Sequence, residues 1–212
     1  DTGTVGDGAG RLRLDVNGAG AGGSSDGTAG RFHTNEWYFA ALTYNATTHQ
    51  IQGYLQPDSP VFFAADLNRT INGPNYLNDM TQFRLGADNL SGIGSLDAFG
   101  GWIDDARFIR GSFSRSQLRD VYRSLTGYGP GLLAKYDHEG PNPLASDVGP
   151  GMDLVNTGGV ALVAPPSPAD LKLGDVVGEY NRSNYLSPPS FYMPGDDFTF
   201  TAMVRKSADE VG

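Results

Sequence analysis

The sequence predicts an all-β chain, an antiparallel two-sheet sandwich with one short helix near residues 114–125. Three observations lead there. Glycine supplies 30 of the 212 residues, twice the roughly 7% average usage, while charged residues make up only 18%, so turns are frequent and long solvated helices are few. Short apolar or alternating runs recur between clusters of turn-forming residues. Cysteine is absent, so packing alone must hold the fold, with no disulfide framework and no thiolate metal site.

Arg11-Leu12-Arg13-Leu14-Asp15-Val16 alternates strictly, which places Leu12, Leu14 and Val16 on one buried strand face. Gly18 to Gly30 reads as a long exposed loop. Glu36 to Tyr44 is apolar on both faces, the pattern of a central strand covered by layers on either side. Asn45 to Thr48 supplies a turn, and His49 to Gln56 pairs back as a hairpin. Phe83-Arg84-Leu85-Gly86 and Trp102 to Ile109 give two further strands. Ser114 with Gln117 three residues later forms a capping box, and Leu118, Val121, Tyr122 and Leu125 follow at helical spacing on one face. Gly127 ends that helix, while Arg115, Arg119 and Arg123 form its solvated side.

The charge balance narrows the partners. Fifteen Lys and Arg against 24 Asp and Glu give a net charge of −9, which repels nucleic-acid phosphates and anionic lipid heads. No apolar run approaches the ~18 residues needed to cross a bilayer, so no membrane insertion is expected. Asp1 opens a glycine-rich stretch rather than a charged and apolar leader, so the chain is expected to be processed or excerpted.

The succession Trp37 to Tyr44, Ile51 to Leu55, Phe83 to Gly86, Phe99 to Arg107 and Ser114 to Tyr122 resembles the C-terminal half of laminin G-like, concanavalin A-type jelly-roll domains. Gly131 to Asp137, Ala145 to Asp147, Met152 to Gly158 and Asp197 to Arg205 resemble the opening half of the same family. The halves therefore stand in permuted order, and joining Gly212 to Asp1 restores the family's succession. The resemblance implies residues 1–126 as a C-terminal half-sandwich, 127–131 as a linker stiffened by Pro130, and 132–212 as an N-terminal half-sandwich that completes a neighbouring subunit.

A sandwich cut in half exposes unpaired edges and half an apolar core, so each half needs a complement. Closure within one chain gives a permuted monomer; closure between successive chains is heterologous and propagates into a filament. The second arrangement is the preferred expectation: a structural subunit of an extracellular, secreted, glycosylated filament whose partners are copies of itself. Four sequons support secretion, at Asn45, Asn68, Asn89 and Asn181. Proline-rich segments around Pro165 and Pro166, and around Pro188 and Pro189, are candidate O-glycosylation sites of the hydroxyproline type. The alternative is a laminin G-like carbohydrate- or protein-binding module of a secreted adhesin or enzyme, which needs Tyr44, Tyr54 or Trp102 exposed to stack on sugar rings.

No enzyme is expected. Glycosidases with this type of sandwich need two carboxylates close together on one strand face. Asp104 and Asp105 are adjacent and so are expected to point to opposite faces, with Asp104 satisfying nearby backbone donors, while Asp209-Glu210 lies in a polar terminal stretch. His33, His49 and His138 lack metal-ligand spacing and are expected at the surface or in turns. The family resemblance implies a calcium ion at the sandwich rim, for which Asp7 and Asp88 are the candidate ligands; no other cofactor than covalent glycans is expected.

Overall fold

A computed structural model describes residues 10–11, 31–58, 68–72, 84–86, 99–124, 131–146, 152–166, 175–181, 183–189 and 196–207. The expected strand at Leu12 to Val16, the glycine-rich loop after it, and the helix end at Leu125 and Gly127 lie outside these residues.

The described chain is all-β with one short helix. Its strands are β1 (Gly10–Arg11), β2 (Arg31–Phe32), β3 (Trp37–Asn45), β4 (Gln50–Pro57), β5 (Asn68–Asn72) and β6 (Gly100–Arg110), followed by helix α1 (Arg115–Arg123). Then come β7 (Leu132–Tyr136), β8 (Val155–Thr157), β9 (Ala161–Val163), β10 (Val177–Asn181), β11 (Tyr185–Ser187) and β12 (Phe198–Lys206). Eight of them build one antiparallel sheet in the order β5-β4-β3-β12-β6-β10-β9, with β7 also paired to β6. Two small ribbons, β1 with β2 and β8 with β11, stand beside it. Of the segment expected as a strand at 83–86, the described residues 84–86 form an isolated bridge, Leu85 to Leu186.

Both faces of the large sheet are covered, which explains why its central strands are apolar on both sides. One face carries Tyr44, Ile51, Ala106, Phe108, Ala134, Tyr136, Phe198 and Ala202, packed with Leu85, Leu154, Val160 and Leu186. The other carries Trp37, Phe39, Ala41, Tyr54, Ile109 and Met203, packed with Leu118, Val121 and Tyr122 of α1. The helix begins as its sequence dictates. Ser114 is the N-cap, and its side chain and that of Gln117 satisfy each other's backbone N–H groups. Arg119 and Arg123 face solvent and Arg115 is half-buried.

The long strand β6 has three partners. Along one edge it pairs with β12; along the other it pairs with β10 over Gly100–Ile103 and with β7 over Ala106–Ile109. Asp104 and Asp105 occupy the fork where the neighbour changes. The ladder with β12 slips there, three β6 steps from Arg107 to Asp104 facing two β12 steps from Thr201 to Met203, so β6 carries an extra residue. Asp105 takes it up with a φ of 47°, a left-handed conformation that aspartate tolerates better than most residues.

Candidate functional site

Strand β12 joins the two portions of the sequence. It lies between β3 and β6, both from the first portion, with eight register pairs to each: to β3 from Phe198 opposite Tyr44 to Arg205 opposite Trp37, and to β6 from Phe198 opposite Arg110 to Lys206 opposite Gly101. On one face Phe200 meets Phe108, ring centroids 4.9 Å apart, and Phe198 meets Tyr44 at 6.0 Å. On the other, Met203 enters the layer under α1. Without β12, β3 and β6 would each present an open edge of N–H and C=O groups and the core would lose its middle row. Thr199 anchors the strand's start, its hydroxyl donating to the Gly111 carbonyl at 2.7 Å and accepting from the Phe113 N–H at 3.0 Å. Asp197 accepts from the Ala46 N–H at 2.6 Å, tying the same end to the β3–β4 turn.

Next to this ladder lies a charged cluster. Arg107 is buried, at 1% exposure, and forks onto Asp105 through Nε to Oδ1 at 2.8 Å and Nη2 to Oδ2 at 2.6 Å. The guanidinium also donates to the carbonyls of Val121 at 3.3 Å and Ser124 at 2.7 Å. A cation therefore closes the C-terminal end of α1, where carbonyls lack helical partners and the dipole is negative. Burial pushes the Asp105 carboxyl above its ordinary range, and Arg107 works against that shift. Lys135 pairs with Asp137 on the adjacent strand.

The fork also holds polar atoms with no partner. Asp104 is 1% exposed; neither of its carboxylate oxygens meets a donor in good hydrogen-bond geometry, and the Asp105 N–H is the backbone donor close enough to favour its charged form. His138, expected at the surface or in a turn, lies in the loop after β7 with a φ of 59°, but its side chain is 2% exposed; its Nδ1 lies 3.0 Å from the Pro143 carbonyl and its Nε2 is unpartnered. The Tyr180 hydroxyl is buried and unpartnered as well. Burial raises the Asp104 carboxyl well above the usual aspartate range and lowers His138. No signal in the sequence marks these three residues, since each stands alone in its strand or loop and they meet only through the sheet order.

Three of the four sequon asparagines, those among the described residues, fall at strand ends. Asn45 ends β3 half-buried, its Oδ1 accepting from the N–H and hydroxyl of Thr48 at 2.7 and 3.0 Å. Asn68 opens β5, and its side chain is not among those described. Asn181 ends β10 exposed, with Ser183 donating to its Oδ1 from N–H at 3.1 Å and hydroxyl at 2.7 Å. Asn89 lies outside the described residues, as do both candidate calcium ligands, Asp7 and Asp88. Among the described residues no group of three or more His, Asp or Glu side chains is arranged to hold a metal ion. Pro165 is half-buried, Pro166 and Pro189 are exposed, and Pro188 is buried.

A cleft of ≈ 280 Å³ runs beside β6 and β10, lined by Trp102, Ala161, Glu179, Asn181 and Asn184 among others. Trp102 is half-buried, with the Arg205 guanidinium 5.5 Å from its ring centroid. Tyr44 and Tyr54 are buried and offer no face for stacking. Among the described residues no helix is long and apolar enough to cross a membrane.

Compared with known proteins, the chain matches no protein family, no curated protein and no solved structure. Its class is therefore defined by its own architecture: an all-β protein with a large antiparallel sheet in which one strand from the end of the chain, β12, lies between two from its beginning, β3 and β6.

Proposed function

We propose that the chain is a structural module of a secreted, glycosylated filament, built of laminin G-like jelly-roll units in which the 132–212 portion of one copy completes the 1–126 portion of the next. One observation carries the reading: β12, from the end of the chain, sits between β3 and β6 from its beginning. A sheet interleaved in this way can close within one chain or between copies with the same ladders and the same core, so exchange costs no native contact. Asn45, Asn68 and Asn181 at strand ends suit glycans carried outside the sheet. The binding-module reading draws its support from the cleft at Trp102, with Glu179 and Asn181 beside it, but Arg205 already lies over that indole.

The absence of native cysteine allows a clean test. Ala40 and Ala202 stand directly opposite each other on β3 and β12. Paired positions of an antiparallel ladder lie about 4.5–5.5 Å apart at Cα, inside the range a disulfide spans. Chains carrying Ala40→Cys and chains carrying Ala202→Cys are mixed, unfolded, refolded together and oxidised. Exchange gives a disulfide-linked heterodimer, and the double variant gives a ladder of linked oligomers. A double variant that yields only internally bridged monomers, with no heterodimer from the mixture, overturns the proposal.

A further inference from the structure

Buried polar groups almost always find partners. Asp104, His138 and Tyr180 break that rule together, each nine-tenths or more buried and each with an unpartnered polar atom. They also converge. A methyl group placed on Gly178 would lie 3.2 Å from both His138 Nε2 and the Tyr180 hydroxyl, so those atoms flank one side-chain-free position. Gly178 is paired with Ile103, the residue before Asp104. Asp104 is close enough to Tyr180 for its charge to oppose ionisation of the phenol. Asp104 belongs to the first portion of the chain and the other two to the second, so the trio straddles the seam.

The charged groups packed around it are already engaged. On β6, Asp105 is held by Arg107. On β7 and the loop after it, Lys135 pairs with Asp137, Asp137 accepts the Glu139 N–H at 3.1 Å, and Glu139 accepts the Val176 N–H at 2.8 Å. On β12 the residue opposite Asp104 is the apolar Met203. The Pro143 carbonyl beside Nδ1 of His138 fixes the ring proton there and leaves Nε2 as an acceptor. A carboxyl that keeps its proton, a neutral imidazole and a phenol make an uncharged set, whereas one proton fewer or one more leaves a bare buried charge.

We propose that Asp104 and His138, flanked by the Tyr180 hydroxyl, form a proton-operated latch on the seam, closed while the trio is neutral and loosened when Asp104 loses its proton or His138 gains one. This regulation rests on the exchange reading for its effect on assembly, but the latch itself works whether the portions belong to one chain or two. Asp104, raised by burial, contributes stability that is complete below the ordinary aspartate value and is lost as pH rises through the raised one. His138, lowered by burial, contributes stability that is complete above the ordinary histidine value and is lost as pH falls through the lowered one. The Asp104 limb falls as pH rises above about 4 and the His138 limb falls as pH drops below about 6.5, each by up to about tenfold in the closing equilibrium per pH unit, and the two slopes oppose each other where they overlap.

The experiment is urea unfolding of the full chain from pH 3 to 9, with sedimentation velocity on the same samples. Asp104→Asn is expected to lose the limb along which stability falls as pH rises above about 4, and His138→Gln the limb along which it falls as pH drops below about 6.5. If a variant does not fold, wild-type NMR titration decides: His138, resolved from His33 and His49, and the Asp104 carboxyl must both titrate away from their ordinary values. Ordinary titration of both, or limbs unchanged in both variants, overturns the latch. Chains that never assemble but keep two variant-sensitive limbs support the latch and reject exchange; chains that assemble equally at all pH values with a flat profile reject the latch alone.

Discussion

Removing the Arg107 guanidinium should cost far more than a surface ion pair. The side chain is 1% exposed, its partner Asp105 is 19% exposed, and four hydrogen bonds leave it, two to the carboxylate and two to the carbonyls of Val121 and Ser124. Arg107→Ala strands a buried carboxylate and uncaps the last turn of α1. Breaking a buried pair from one side costs about 3–5 kcal/mol. With an m value of about 3 kcal/mol/M, the urea midpoint should fall by about 1–1.7 M. Arg107→Lys keeps the charge but not the fork, and should recover less than half of the loss. The double variant Arg107→Ala/Asp105→Asn removes the stranded charge and should be more stable than the sum of the single losses predicts. Because burial already raises Asp105 and Arg107 opposes that rise, the alanine variant's deficit should shrink as pH falls toward 4, where a protonated Asp105 needs no cation. Equilibrium urea unfolding at pH 4 and 7 checks all of this. A loss below about 1 kcal/mol for Arg107→Ala, where a buried pair predicts several, or strict additivity in the double variant, refutes the reasoning.

Three further outcomes follow from the geometry. Gly101 has a φ of 139° and a side chain there would run into the Arg205 carbonyl, with Lys206 Cα 3.0 Å away, so Gly101→Ala must push β12 off β6; thermal unfolding should show a loss several times that of Gly140→Ala, which has a φ of 81° but nothing within 4 Å and bears only the ~1–2 kcal/mol left-handed strain. Ser114→Ala removes the N-cap of α1 and should cost about 1 kcal/mol in the same assay, because the Gln117 N–H loses its side-chain acceptor while the Gln117 side chain keeps the backbone N–H of residue 114. Tyr122→Phe deletes the 2.6 Å hydrogen bond to Asp58 while keeping the ring against Phe39, and should lose about 1–3 kcal/mol, as the urea midpoint at pH 7 would register.

Trp37 to Tyr44 reads as a doubly covered strand, and β3 is buried on both faces. The capping box at Ser114 and Gln117 forms as the spacing dictates. At Asp104-Asp105 the strand carries a bulge that no local pattern announces, with Asp105 at a φ of 47°. His138 was expected at the surface or in a turn because a lone histidine carries no periodicity, yet it is 2% exposed. The seam was half legible: the resemblance to a jelly roll marks 197–205 as strand, but no local feature names β3 and β6 as its neighbours.

The amino-acid order by itself determined what depends on a few consecutive residues: strand and turn periods, the helix and its cap, the acidic surface and the lack of any disulfide. Only the tertiary structure decided which strands lie side by side, and through that which polar groups lose their water. Strand pairing across more than 90 residues of chain, such as Phe200 with Phe108 or Arg205 with Trp102, is chosen by the fit of whole faces rather than by any local preference. The same choice brought Asp104, His138 and Tyr180, unremarkable one at a time, into a single buried site.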